Sequence, residues 1–209
     1  MSAAEIRDRL IAQRVIPALH LADARLAREA AECLIDAGFG ALEIDLTTPG
    51  AVELIRSLAP RVLVGAGTVL DLETAHRCLR AGARFIASPV PVPGVAGEAH
   101  VAGCAALLGG FTPAEVLAAH RDGADIVTVF PASSGGPEHL RALHGVFPQL
   151  PLCPAGGVSL DDLRAYFTAG AACVGIGHDL VDQRALAAGD IARVIDRARA
   201  FLLPEVTRR

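Results

Sequence analysis

Short β-rich segments recur about every 22 residues along this chain, and the repeat restricts the possible folds more than any other feature. Between successive segments lie amphipathic stretches whose apolar residues recur at three- and four-residue spacing, as in helices that pack on a sheet. Eight strand and helix units favour a single (β/α)8 TIM barrel over an open doubly wound sheet. The segments are VIPALHL from Val15, ALEIDL from Ala41, RVLVGAG from Arg61, RFIAS from Arg84, AALLGG from Ala105, DIVTVF from Asp125, PLCPAG from Pro151 and ACVGIG from Ala172.

Local signals mark the ends of the predicted helices. Thr112 with Glu115 and Ser159 with Asp162 form capping-box patterns, which indicate helix starts. A chain of 209 residues suits one barrel, so we expect a single domain over 1–209, with an N-terminal helix over 1–13 covering the barrel bottom. Five amphipathic stretches end in a glycine that permits a left-handed helix cap: Gly38, Gly82, Gly103, Gly123 and Gly170.

Composition argues against several classes of function. Hydrophobic residues make up 52% of the chain, but no apolar run of about 18 residues occurs and the N-terminus lacks a signal-peptide core. We therefore expect a cytoplasmic protein without a membrane partner. A net charge of -4, scattered arginines and 4% aromatic residues leave no surface suited to nucleic acid. Five cysteines without CxxC spacing predict neither disulfides nor a zinc site, and we expect them to be buried.

Two acids lie on the second predicted strand. Alternation in ALEIDL places Leu42, Ile44 and Leu46 on the helix-facing side and directs Glu43 and Asp45 into the barrel. An inward Glu43 is either satisfied by hydrogen bonds within the barrel or has a raised pKa suited to general acid–base catalysis. We favour catalysis for Glu43 and leave both interpretations open for Asp45.

Glycine-rich turns follow the seventh and eighth strands, where barrels commonly bind phosphate. CPAGGVS contains Gly156 and Gly157 before a capping serine, which predicts free backbone N–H groups at the start of a helix. GIGH ends the eighth strand with Gly177 and His178. The two turns together predict a phosphate site.

Other strand ends supply further candidates for substrate binding. Thr68 in GAGT could donate a hydrogen bond into the barrel mouth, and Pro89 and Thr112 also follow strands. His20 ends the first strand and, with Glu43 or Asp45, could ligate a divalent metal. No HxH or HExxH spacing supports a metal, so we expect no cofactor.

Several segments resemble the 2-keto-3-deoxy-6-phosphogluconate and 6-phosphogalactonate aldolases, which are class I pyruvate aldolase barrels. The resemblance extends from about Val15 to Val181, and LTTP and FPASSGGP are more similar to the galactonate branch. The segments are IDAGFGALEIDLTTP, VGAGTVL, VFPASSGGPEHLRAL and PAGGVSLDDLRAYFTAGAACVGIGHDL.

The resemblance implies retro-aldol cleavage of a phosphorylated 2-keto acid to pyruvate and glyceraldehyde 3-phosphate, by a carbon–carbon lyase that is usually a homotrimer. In the family, a lysine on the sixth strand forms an iminium with the keto group. The resemblance implies that Glu43 shuttles protons and that Thr68 helps hold the keto-acid carboxylate. It also implies a phosphate site at Gly156, Gly157, Gly177 and His178. The predicted substrate-binding residues are His20, Asp45, Thr68, Pro89, Thr112 and Ser133.

The catalytic lysine of that family has no counterpart here. All 19 basic residues are arginine, and Thr128 stands where the lysine is expected, two residues before the FP of VTVFPAS. A threonine hydroxyl cannot form an imine, and a guanidinium stays protonated. The α-amino group precedes the first strand by more than a dozen residues, so we expect it at the opposite end of the barrel. His20 and Asp45 also differ from the galactonate branch, which often has arginine and proline or threonine there.

Three interpretations follow from this change. The first is a homologue without the Schiff-base route that keeps the phosphate pocket and uses Glu43 for proton abstraction or another reaction. The second is a metal-assisted aldolase, with His20, Glu43 or Asp45 as ligands. The third is a non-catalytic protein that binds a phosphorylated ligand.

Overall fold

Eight parallel strands form the centre of the structure, a computed structural model that describes residues 1–202. The end of the domain predicted over 1–209 lies outside the described residues. From the first strand to the seventh, each pairs with the next along the chain, and the first also pairs with the eighth. The strands are β1 (Val15–Leu19), β2 (Ala41–Asp45), β3 (Leu63–Gly67), β4 (Phe85–Ser88), β5 (Ala105–Gly110), β6 (Ile126–Val129), β7 (Leu152–Pro154) and β8 (Val174–Ile176).

The ring closes between β7 and β8. The Ala172 N–H donates to the Leu152 carbonyl at 2.9 Å, and Ala155 pairs with Gly175 in an isolated bridge. The predicted (β/α)8 barrel is therefore confirmed.

Helices precede β1 and follow every strand. Their apolar faces pack on the outside of the barrel, and none within residues 1–202 is both long and apolar enough to span a membrane. The helices are α1 (Ala3–Gln13), α2 (Ala24–Ala37), α3 (Ala51–Leu58), α4 (Leu72–Arg80), α5 (Val95–Val101), α6 (Pro113–Arg121), α7 (Ala132–Val146), α8 (Leu163–Thr168), α9 (Gln183–Ala187) and α10 (Ile191–Ala200).

Two apolar layers result from the alternation of side chains along the strands. Leu42 and Ile44 of β2 face the helices in the outer layer, as their spacing predicts. The inner layer fills the lower half of the barrel and includes Ile16, Phe85 and Ile126. The Phe85 ring occupies the space in which Gly65 has no side chain. The barrel is thus solid below, and only its upper part can hold a ligand.

The lower end of the barrel is covered by α1. Ile6 and Leu10 are fully buried and belong to the inner apolar layer. The Gln13 amide then fixes the end of α1 to the sheet: its Nε2 donates to the carbonyl oxygens of Val15 and Ala41, both at 2.8 Å. This arrangement places the polar strand ends at the opposite, open end.

The predicted helix boundaries are confirmed with one exception. The five glycines predicted to end helices all have positive φ, and Thr112 forms the predicted capping box with Glu115. The start predicted at Ser159 is wrong, because α8 begins at Leu163 with Asp162 as its N-cap. The Ser159 hydroxyl donates to the Asp162 carboxylate at 2.6 Å instead of accepting from the helix. The residues after β7 therefore form a turn and not the first turn of a helix.

Candidate active site

A cavity of about 530 Å³ opens at the carboxyl ends of the strands. Its walls combine apolar side chains from the strands with polar groups from the loops that follow them. Most of the residues predicted to act in catalysis or binding line it: His20, Glu43, Asp45, Thr68, Pro89, Thr128, Gly156, Gly157, Gly177 and His178. Thr112 and Ser133 do not, and their predicted part in substrate binding stays a prediction.

Glu43 lies deep in the cavity on β2. Its carboxylate fits against β3 at Gly67, where a Cβ atom would overlap Oε1. No described residue among 1–202 donates a hydrogen bond to this carboxylate. Enclosure by protein, and secondly the Asp45 carboxylate, raise the pKa of Glu43 from 4.5 to about 7. Glu43 can therefore both accept and donate a proton near neutral pH.

Asp45 belongs to a hydrogen-bonded group at the rim of the cavity. The Thr47 N–H donates to Asp45 Oδ1 at 2.9 Å, the Thr47 hydroxyl donates to the same oxygen, and the Thr68 hydroxyl donates to Oδ2 at 3.3 Å. His20 Nδ1 lies 2.7 Å from the Thr47 hydroxyl oxygen and 3.5 Å from Asp45 Oδ1. The His20 ring also packs edge-on against that of His178, with centroids 5.6 Å apart. These contacts hold Asp45 in one position.

Thr128 lies on β6, directly between Gly109 of β5 and Cys153 of β7 in the strand register. Thr128 is half-buried and lines the cavity, and the buried Cys153 lines it as well. Its hydroxyl makes no hydrogen bond to residues 1–202, so the hydroxyl can donate to a bound molecule. A hydrogen bond with the neighbouring Cys173 thiol, and secondly burial, raise the pKa of Cys153 well above its usual value, which keeps that thiol neutral.

The loop after β7 bends sharply at Gly156 and Gly157, which have φ of 85° and 75°. A Cβ atom on Gly156 would lie 2.6 Å from the Phe130 ring, and one on Gly157 would lie 2.6 Å from Ser133 Oγ. Only glycine fits at both positions. Within residues 1–202, the N–H groups of Gly157 and Val158 have no acceptor in the protein. Two amide donors are thus available at this edge of the cavity.

Asp179 connects the loops after β7 and β8. Its carboxylate accepts from the Leu160 N–H at 2.9 Å and from Arg197 Nη2 of α10 at 2.5 Å. Arg197 Nε donates to the Asp179 carbonyl at 3.1 Å as well. The charge of Asp179 is therefore balanced by a cation behind the cavity wall.

Several residues of the site were not predicted from the sequence. Gly67 leaves room for the Glu43 carboxylate, and Thr47 donates hydrogen bonds to Asp45. The only sequence signal for Gly67 was its place in GAGT. Asp179 follows the predicted His178 directly and could have been found from that spacing. Phe130 and Cys153 line the cavity as apolar strand-end residues, a pattern that does not distinguish them from core residues.

The structure also shows where a metal ion, the N-terminal amine and the cysteine thiols could take part in chemistry. No set of three His, Cys, Asp or Glu side chains in the described part of the chain is arranged to hold a metal ion. The Met1 carbonyl accepts a hydrogen bond from Arg84, immediately before β4, at 2.8 Å. Met1 is therefore at the lower end of the barrel, away from the cavity. All five cysteines are buried and free, as predicted for buried apolar residues.

Comparison with known proteins agrees with the barrel and its site. Residues 6–197 match the family model described as KDPG and KHG aldolase. A 2-dehydro-3-deoxy-phosphogluconate aldolase of Pseudomonas aeruginosa is 36% identical over 177 residues, which cover 82% of this chain and 80% of that protein. The 2-dehydro-3-deoxy-6-phosphogalactonate aldolase of Escherichia coli K12 is 32% identical over 174 residues, 81% of this chain and 83% of that protein.

A solved structure extends the similarity to three dimensions. The KDPG aldolase of Legionella pneumophila, with pyruvate captured as a covalent carbinolamine intermediate, superposes with a TM-score of 0.83 and 30% identity. The match covers 94% of this chain and 97% of that one. With nearly the whole barrel matched in both sequence and structure, the chain belongs to the family of KDPG and KHG aldolases, where KDPG is 2-keto-3-deoxy-6-phosphogluconate.

Proposed function

We propose that this protein binds a phosphorylated 2-keto acid or sugar phosphate and transfers a proton at the carbon next to the carbonyl group, without forming an imine. The observation that carries the proposal is the position of Glu43. Its carboxylate is half-buried in the cavity, which raises its pKa to about 7, and the unpaired amides of the β7 loop line the same cavity. An acid with these properties can serve as a general base and then as a general acid.

The phosphate group belongs at the glycine loops in this proposal. The N–H groups of Gly157 and Val158 supply donors without protein acceptors, and Gly177 and His178 lie on the adjoining wall. Backbone amides bind phosphate oxygens without needing an arginine or lysine. The carbonyl end of the ligand then extends toward Glu43 and Thr128.

Proton transfer at that end is balanced without another reactant. Glu43 takes a proton from the carbon beside the carbonyl, and the electrons of the C–H bond move onto the carbonyl oxygen to form an enolate. The Thr128 hydroxyl donates a hydrogen bond to that oxygen. Glu43 returns the proton to the same or the neighbouring carbon, so that the net result is exchange or isomerisation.

An imine route requires an amine that the cavity does not contain. The Legionella enzyme is described with pyruvate bound as a covalent carbinolamine, a bond made by an amine. Here the corresponding strand presents Thr128, no residue of the chain is a lysine, and Met1 lies at the other end of the barrel. We infer that the carbon–carbon cleavage of the family does not proceed through a Schiff base in this protein.

Proton exchange in D2O tests the proposal. The protein is incubated with 2-keto-3-deoxy-6-phosphogluconate and with fructose 6-phosphate, and deuterium uptake beside the carbonyl is followed by NMR. We expect uptake with at least one of them and a loss of about 10²-fold or more in Glu43→Gln. Glu73→Gln, an exposed acid on α4, is the matched control.

The other outcomes separate the remaining interpretations. Binding of phosphorylated ligands without exchange would contradict proton transfer and indicate a binding protein. Cleavage that a chelator abolishes and Mg²⁺ or Mn²⁺ restores would support a metal-assisted aldolase. A covalent adduct with pyruvate and borohydride would contradict the argument from the missing lysine.

We also propose, from the family alone, that the chain assembles as a homotrimer. Light scattering of the purified protein tests this, with three times the mass of one chain expected.

A further inference from the structure

His20 and Glu43 reach the same level of the cavity from neighbouring strands. The register of β1 and β2 places His20, directly after β1, beside Asp45. Asp45 in turn pairs with Gly67 of β3, and the Glu43 carboxylate extends up to Gly67. Since both His20 and Glu43 line the cavity, an imidazole and a carboxylate are available to one bound molecule at the same time.

Hydrogen bonds at the rim determine which nitrogen of His20 carries the proton. The Thr47 hydroxyl has one hydrogen and donates it to Asp45, so the hydrogen between Thr47 and His20 must be on His20 Nδ1. In the neutral ring, Nε2 is then unprotonated, and it has no hydrogen-bond partner among residues 1–202. Such a nitrogen can accept a proton from a bound molecule.

Asp45 can stabilise the charge that His20 would then acquire. Its Oδ1 lies 3.5 Å from His20 Nδ1. A carboxylate on this side of a histidine fixes the orientation of the ring and stabilises the imidazolium. The ring also packs edge-on against His178 of the turn after β8, and β1 lies between β8 and β2 in the sheet. A ligand that extends from the glycine loops to Glu43 therefore passes His20.

We propose that His20 is a second catalytic acid–base residue, which moves a proton between two oxygens of the ligand while Glu43 moves one between two carbons, and that Asp45 is its positioning residue. This inference rests on the proposed function, which allows the proton to return to the same or the neighbouring carbon. Of the two ligand classes proposed there, the inference concerns sugar phosphates with a hydroxyl next to the carbonyl group.

The reaction is balanced with open-chain fructose 6-phosphate and needs no other reactant. Glu43 takes a proton from C1, the electrons of that bond form a C1–C2 double bond, and the C2 carbonyl electrons move onto its oxygen. His20 Nε2 takes the proton of the C1 hydroxyl and gives it to the C2 oxygen. The C1 oxygen then forms the new carbonyl group, and C2 takes the proton from Glu43. The product is an aldose phosphate, and both residues return to their starting states.

NMR in D2O measures both proton transfers in one sample of fructose 6-phosphate. Glu43 alone suffices for deuterium at C1, whereas His20 is also needed to form glucose 6-phosphate or mannose 6-phosphate. We expect the ratio of aldose formed to deuterium taken up to fall about tenfold or more in His20→Asn. A change in folding or ligand affinity would alter both rates alike and leave this ratio unchanged. His76→Asn, which removes an exposed histidine that also meets a carboxylate, is the matched control.

Asp45→Asn tests the positioning residue in the same assay. The ratio should fall in this variant too, whereas Asp8→Asn, which removes the same charge from α1 at the lower end of the barrel, should leave it unchanged. Nitrogen-15 NMR tests the arrangement without turnover, because neutral His20 of the parent protein should carry its proton on Nδ1. A proton on Nε2 instead would overturn the inference.

The remaining outcomes separate this inference from the proposed function. An equal ratio in parent and His20→Asn, or exchange without any aldose in the parent, would overturn the inference alone, as would exchange only with 2-keto-3-deoxy-6-phosphogluconate. If neither ligand shows exchange that depends on Glu43, the proposed function is wrong and the inference falls with it. D-glucitol 6-phosphate, which has the same chain and phosphate but no carbonyl group, should inhibit both events equally. Aldose formation that it does not inhibit, or that persists in Glu43→Gln, would arise at another site and overturn the inference.

Discussion

The two ends of the cavity depart from the family pattern to different degrees. At the loop end, Gly156 and Gly157 adopt positive φ and leave amides available, as a phosphate site requires. At the opposite end, Thr128 occupies the position expected for the lysine, and Thr68 is hydrogen-bonded to Asp45. Glu43 is the group at this end that we propose to be reactive.

The difference shows how a barrel can separate binding from chemistry. The loops that we propose to bind phosphate follow β7 and β8, whereas the groups that we propose to surround the carbonyl come from β1, β2, β3 and β6. Each loop and strand end is supported by its own βα unit, so one end can change while the other keeps its backbone geometry. If the proposed phosphate site is correct, family membership predicts where the ligand is anchored better than it predicts the reaction.

Restoring the amine is the change with the largest expected effect. It would return to the carbonyl end the catalytic group that the family pattern leads us to expect there. In Thr128→Lys, pyruvate and borohydride should give a covalent adduct that the parent protein lacks. Cleavage of 2-keto-3-deoxy-6-phosphogluconate should rise by at least about a hundredfold over the parent, as expected for a catalytic group placed within reach. Both are measured above neutral pH, since the nearby acids favour the charged form of a lysine.

A matched control for this substitution is Thr168→Lys, at the exposed end of α8. It adds the same amine outside the cavity and should give no adduct. A folded Thr128→Lys protein that forms an adduct with pyruvate but does not cleave would show that the keto group reaches the amine and that another group needed for cleavage has changed. If it forms no adduct at all, the geometry around the carbonyl differs from that of the family by more than one side chain.

The barrel and the strand carrying Glu43 could be predicted from the sequence because both depend on periodic patterns. Eight repeats predict the ring, and alternation along β2 predicts the direction of Glu43. The turn before α8 could not be predicted, since the capping pattern at Ser159 does not show whether the serine accepts from the helix or donates to Asp162.

The hydrogen bonds at the rim were beyond prediction for a similar reason. Thr68 follows a strand at the cavity, as expected, but the direction of its hydroxyl depends on where Thr47, in the turn after β2, holds Asp45. The direction of such a hydroxyl is set by tertiary contacts between side chains. A sequence pattern can place a group at the site without showing which of its bonds are already made.

The burial of Glu43 predicts that the stability of the protein depends on pH, an effect of intermediate size. Burial and Asp45 raise its pKa from 4.5 to about 7, so between these values the folded protein holds a proton that the unfolded chain has lost. The free energy of unfolding should therefore fall as pH rises through this window, by up to about 3 kcal/mol from this group.

Urea unfolding of the parent and of Glu43→Gln at about pH 5 and pH 8 measures this contribution. The variant should gain stability relative to the parent as pH rises, while Glu73→Gln should not. If the difference in unfolding free energy between parent and Glu43→Gln is the same at both pH values, the carboxylate is as well solvated as an exposed one. Glu43 would then lack the raised pKa on which its proposed reactivity depends.

The smallest expected effect concerns the loop end and uses two glycines with the same backbone geometry. Gly157 and Gly189 both have φ of 75°, so an alanine at either position should lower stability by about 1–2 kcal/mol. A Cβ atom on Gly157 would also lie 2.6 Å from Ser133 Oγ, whereas one on Gly189 would have no neighbour within 4 Å. Only Gly157→Ala should therefore displace the loop and weaken binding of D-glucitol 6-phosphate, by about tenfold or 1.4 kcal/mol. Equal affinities in the two variants, measured by calorimetry, would mean that the β7 loop does not hold the phosphate, and the cavity would have lost its family pattern at both ends.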